Sequence, residues 1–210
     1  MKSGNLLLLI AVALLIIAIL STGVLYLSVS NLNSSITGYL GRTTGEVNLT
    51  IETTSAINFT TSTINFGSGR TNSSAASLIT LGSGTVVNGN WTAQSGLILE
   101  NIGNQNLSLN ITADNAAATF LGGTNPVFNI NVSNSEVGSC INVTGNGQNL
   151  NIFHPVNTSI GNAQYCDVFR FESANDQIRI DFNLTLPEDS LTGLRGTQIN
   201  ATAFTALTGP

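Results

Sequence analysis

Two hydrophobic patterns divide this chain. From Leu6 to Leu20 the residues form an unbroken run of Leu, Ile, Val and Ala, and Val24, Leu25, Tyr26, Leu27 and Val29 continue it. As a helix, Leu6 to Val29 would be about 36 Å long, enough to cross a hydrocarbon layer of about 30 Å. From Glu46 onward the period becomes two. Val47, Leu49 and Ile51 alternate with Asn48, Thr50 and Glu52, and Leu107, Leu109 and Ile111 alternate with Asn106, Ser108, Asn110 and Thr112. Phe128, Ile130 and Val132, and then Ile178, Ile180, Phe182, Leu184 and Leu186, repeat the pattern against Asn, Ser, Thr, Arg and Asp. Such segments are half-buried strands, with one face on a core and one in water.

Turn chemistry separates the strands, at Gly67-Ser68-Gly69, Asn88-Gly89, Asn101-Ile102-Gly103-Asn104, Gly122-Gly123, Gly145-Asn146-Gly147 and Pro187-Glu188-Asp189. About eight short strands with no helix after about residue 42 predict a mainly β head, an immunoglobulin-like antiparallel β-sandwich, behind an N-terminal hydrophobic α-helix. The expected organisation is a leader over 1–4, the hydrophobic helix and a polar joint over 5–42, and the sandwich over 43–210.

Lys2 precedes the apolar run, and no other charge appears before Arg42. This bias holds the N-terminus inside and sends the remainder out, so the head is expected at the cell surface or beyond it. Three fates fit the helix. It is a secretory signal cut near Ser21-Thr22-Gly23, or an uncut anchor with a polar stalk, or the core of a filament after a cut between Gly4 and Asn5. The third follows a resemblance: Lys2-Ser3-Gly4 followed by Asn5-Leu6-Leu7-Leu8-Leu9-Ile10 looks like the leader and start of an archaeal type IV pilin or archaellin. That resemblance implies cleavage after Gly4, a new amino terminus at Asn5, passage through the membrane, and a homo-oligomer built through the helix. The stretch from Leu97 to Leu109 also resembles the strand, Asn-Gly turn and strand of secreted TasA-type filament-forming sandwiches.

Composition narrows the function classes. Only 8% of residues are charged, with one Lys, one His and a net charge of -5. So few cations cannot neutralise a run of phosphates, and nucleic acid is set aside as a partner. Histidine- or lysine-based catalysis has almost nothing to draw on, and no nucleophile elbow, phosphate loop, zinc-protease or dinucleotide motif occurs. A non-enzymatic chain with no cofactor is expected. Asn, Ser and Thr supply the polar surface instead, at 27, 21 and 25 residues.

Twelve Asn-x-Ser/Thr sequons accompany them, at Asn33, Asn48, Asn58, Asn72, Asn90, Asn106, Asn110, Asn131, Asn142, Asn157, Asn183 and Asn200. In eight the middle residue is apolar, so on a strand the Asn and the hydroxyl would both face outward, presenting candidate sites for attached glycans. Strands with Asn and Thr on the wet face also generate the pattern by themselves. Cys140 and Cys166 fall in the exported part, where a disulfide is expected to form.

The remaining chemistry is sparse. Asp167, Glu172, Asp176 and Asp181, with Asn175, are hard oxygen ligands within a short stretch and offer a calcium reading. Arg170 and Arg179 among them favour a solvated face with ion pairs, and no metal is expected. His154 has no spaced nucleophile and reads as structural. Trp91 with Phe59, Phe66, Phe128, Phe169, Phe171 and Phe182 offers a sugar-stacking platform, but their strand parity favours core packing.

Three assembly readings remain: a pilus-like filament through the helix, a tethered adhesion or coat protein, and strand donation by an extended segment from about Ser30 to Thr54.

Overall fold

The computed structural model describes residues 10–22, 49–142 and 148–206. The chain divides into two compact units, Met1–Thr50 and Ile51–Pro210. In the first, residues 10–22 form helix α1. Its run of straight-chain and β-branched apolar residues carries no Gly or Pro to interrupt it. Ser21 and Thr22 donate hydroxyl hydrogen bonds back to the Ala18 carbonyl at 2.9 and 3.0 Å. Among the described residues, no helix is long and apolar enough to cross a membrane. The expected cleavage sites at Gly4–Asn5 and near Gly23, the polar joint, Asn33 and Asn48 lie outside the described residues.

The second unit is mainly β, with two antiparallel sheets. The larger contains β1 (Ile57–Thr61), β2 (Ala76–Ile79), β3 (Thr85–Val87), β4 (Leu97–Asn101), β6 (Val127–Asn134), β8 (His154–Pro155) and β10 (Gln177–Leu186). The smaller contains β5 (Leu107–Ala113), β7 (Cys140–Ile141), β9 (Gln164–Phe169) and β11 (Ile199–Thr205), in the order β11-β5-β9-β7. The alternation at 107–112, 128–132 and 178–186 therefore marks real strands.

The larger sheet is forked. β10 pairs with β6 along one side, while its other side holds β4 at residues 177–180 and β2 at residues 183–186. Inward residues of both sheets share one core, including Leu78, Leu99, Ile130, Ile178 and Ile180 from the larger and Leu109, Ile111, Tyr165 and Phe169 from the smaller. Each full burial of such a side chain is worth about 1.5–3 kcal/mol. Phe128 stacks between Phe120 and Phe182, with ring centroids 5.1 and 5.8 Å away.

Three expectations need correction. Residues 49–56 form no strand, and Leu49 and Ile51 are 81% and 77% exposed, because the alternating pattern there meets no partner strand. The strand, turn and strand from Leu97 to Leu109 are not a hairpin. β4 belongs to the larger sheet and β5 to the smaller, so the turn is an arch between layers. Helical turns also occur after residue 42: a four-residue helix, α2 (Ala117–Phe120), and a 3-10 turn at Ile160–Asn162.

Candidate functional site

The fork in the larger sheet is held by polar side chains on its outer face. Between the ends of β2 and β4, Phe182 N–H donates to Thr80 Oγ1 at 2.8 Å, and Thr80 N–H donates to the Phe182 carbonyl at 3.0 Å. Thr80 thus supplies one more rung where the strand has ended. Its hydroxyl donates to Asp181 Oδ1 at 3.0 Å, and Arg179 Nε lies 2.9 Å from Asp181 Oδ2. Arg179 Nη2 donates to the carbonyls of Thr80 and Gly82 at 2.8 and 2.6 Å. Asp181 is fully buried, and the chain entering β4 passes so close that a Cβ on Gly96 would fall 2.4 Å from Asp181 Oδ1. A buried carboxylate with this many donors is a structural clasp.

The other carboxylates grouped by sequence are separated by the fold. Asp167 accepts from Gln164 Nε2 at 2.7 Å on β9, in the other sheet. Glu172 sits in an exposed turn closed by a bond from Asn175 N–H to the Glu172 carbonyl at 2.7 Å. Asp176, buried at the start of β10, lies near Glu136 and Glu100, and burial together with these two charges raises its pKa. Glu136 Oε2 accepts from the backbone N–H groups of Asp176 and Gln177 at 2.8 and 3.2 Å, holding it there. Among the described residues, no three His, Cys, Asp or Glu come together as a metal site.

Cys140 and Cys166 form a disulfide, with Cα atoms 5.3 Å apart. It joins β7 to β9 inside the smaller sheet, and Asn134 Oδ1 fixes the approach by accepting from Cys140 N–H at 2.8 Å. His154 lies on β8 with Nε2 3.1 Å from the Asn149 carbonyl oxygen. Trp91, Phe59, Phe66, Phe128, Phe169 and Phe182 pack in or on the core. Trp91 lies across two glycines, and a Cβ at Gly69 or Gly89 would fall 2.4 or 2.6 Å from its ring. Phe169 is buried and Phe171 is half-buried beyond the end of β9.

The described sequons fall into distinct environments. Asn58, Asn72 and Asn90 are exposed, and Asn90 Oδ1 accepts from Arg70 N–H at 2.7 Å. Asn200 is exposed and donates to Asp114 Oδ1 at 2.6 Å. Asn110 and Asn157 are half-buried and donate through their amide nitrogens, to the carbonyls of Ile160 at 3.2 Å and Asn162 at 2.7 Å. Asn106, Asn142 and Asn183 are half-buried. Asn131, opposite Asp181 on β6, points to the outer face but is only 4% exposed, so the folded head does not present its amide to a transferase.

Two features outside the sandwich core are bare. On α1, Ile10, Val12, Leu14, Leu15, Ile16, Ile17, Ile19 and Leu20 are between 47% and 64% exposed, on every side of the helix. At the start of the second unit the chain is held by the arch. Asn104 N–H donates to the Thr54 carbonyl at 3.1 Å, Thr54 N–H donates to Asn104 Oδ1 at 2.6 Å, and Asn104 Nδ2 donates to the Glu52 carbonyl at 2.8 Å. Gln105 also bonds Ser55. Asn101 shapes the arch from below, donating to the carbonyls of Gln105 and Phe169, both at 3.1 Å. The sequence marks these asparagines as turn formers. It carries no sign that they grip a segment fifty residues earlier.

No protein-family model, no curated protein and no solved structure matches this chain.

Proposed function

We propose that this chain is a non-enzymatic structural subunit of an extracellular, pilus-like filament, with the N-terminal helix packed among its copies and the β head outside. The observation that carries this reading is α1. A helix that is apolar on all faces is stable only when something other than water surrounds it, and eight of its described side chains are uncovered in the isolated chain. Lipid fills that role during export, and a bundle of copies fills it after assembly. Cleavage after Gly4 belongs to the proposal, as does an immunoglobulin-like description of the head. Two antiparallel sheets over one core support that description, whereas the disulfide within one sheet differs from the inter-sheet bridge of antibody domains.

Intact mass of native filaments tests it, with an expected N-terminus at Asn5. A native protein that is a soluble monomer beginning near Val24 overturns it.

A second reading is a tethered or secreted surface protein whose copies join by strand donation. The exposed, alternating residues Leu49 and Ile51 favour it.

A further inference from the structure

We infer that the outer edge of β11 and the cavity beside it receive the segment around Leu49 and Ile51 from a second copy of this chain. The inference rests on the reading that copies of the chain assemble, and it names where one head meets the next.

The acceptor has two parts. β11 pairs only with β5 among the described residues, so its other edge presents backbone N–H and C=O groups without a strand. Its seven residues contain no charge and no Pro, and its register with β5 has no bulge. Those are the usual devices that keep an edge from pairing, and β11 lacks all of them. The smaller sheet ends there after four strands while the larger has seven. Beyond Ile199 lies a cavity of about 1020 Å³, lined by Phe59, Leu97, Phe128, Leu184 and Leu186 and also by the segments 62–71 and 187–198, the second of which leads into β11. A fifth strand beside β11 would meet that apolar wall at the Ile199 end, the one part of β11 that lines the cavity.

The donor is matched to it. Leu49 and Ile51 are two residues apart, so in extended backbone they point the same way, and both are bare. The Asn104 bonds fix the chain at Glu52 and Thr54, next to the donor residues, which lowers the conformational cost of pairing. In sequence the alternating run from Val47 to Glu52 would span roughly 20 Å as a strand, close to the length of β11. Backbone pairing would supply affinity, and the apolar wall would choose the register.

The experiment uses the full-length chain, purified in detergent and assembled by dilution. Chains carrying Ile51→Cys are mixed with chains carrying Thr202→Cys and mildly oxidised, with Ser173→Cys in the exposed turn after β9 as the control position. Chains joined between positions 51 and 202 are expected at least tenfold more often than chains joined to position 173. In parallel, Leu49→Asp/Ile51→Asp is expected to lose at least nine-tenths of the polymer while the head melts as before, since both side chains are already in water. Full polymer yield from that double variant, or equal cross-linking to positions 202 and 173, overturns this inference and leaves the filament proposal standing. A wild-type chain that remains monomeric under every assembly condition overturns both.

Discussion

Asp176 shows how one side chain can tie the head's stability to pH. Its pKa is raised by burial and by the negative charges of Glu136 and Glu100, so the folded state favours the protonated form. A raised folded pKa contributes stability at pH below the unfolded value and loses it as pH climbs through the folded one. The head is therefore relieved of a like-charge contact in mild acid. Asp176→Asn is expected to raise the melting temperature at pH 7, and the difference from wild type should vanish below about pH 4, where an unfolded aspartate is itself largely protonated. Asp181 has a cation beside it. Its charge is buried but paired, and removing the pair's cation strands it. Arg179→Met should cost about 3 kcal/mol in denaturant unfolding, far more than an exposed ion pair would. The charge pattern in the sequence shows Asp181 beside Arg179 in a strand. That the carboxylate would be buried was not legible, because Thr80 and Gly96 arrive from distant segments to close over it.

At the scale of elements, the strands were legible wherever alternation met a partner. Leu107–Ala113, Val127–Asn134 and Gln177–Leu186 all carry apolar residues every second position, and each pairs over most of its length. Residues 47–51 carry the same alternation, yet the described part forms no strand, because period alone cannot tell a strand with a neighbour from one without. The arch failed for a related reason. Asn101-Ile102-Gly103-Asn104 is turn chemistry in either topology, and the choice between hairpin and layer crossing depends on which strands occupy the edges of β4 and β5. Cysteine spacing was more informative. The Cys140–Cys166 bridge closes a separation of 26 residues, which the chain-entropy model values at roughly 3.5 kcal/mol. Replacing both cysteines with Ala should lower the denaturation midpoint, with the m-value rising because the unfolded chain without the cross-link exposes more surface. The loop between β7 and β9 should then become the first site cut by protease, which limited proteolysis with mass analysis would read directly.

For the whole molecule, two very different surfaces share one chain: a head with Asn, Ser and Thr in place of charge, and a helix with no polar face. The first 30 residues announced the second surface plainly. Its destination was not legible, since lipid and a bundle of identical helices satisfy the same apolar side chains. Ile16→Asp places a charge in the middle of that surface, and it is expected to abolish assembly while the head's melting temperature stays within a degree or two of wild type. Sedimentation and calorimetry on the same sample check both halves. The grip of Asn104 on Glu52 and Thr54 adds a mechanical property to this arrangement. Its three bonds tie Glu52 and Thr54 to one residue of the arch, so a pull along the chain from the N-terminal side meets them before it meets β1. Tension arriving from the N-terminal side would be borne at the arch before it reached β1, and would pass from there into β4 and β5, one strand of each sheet.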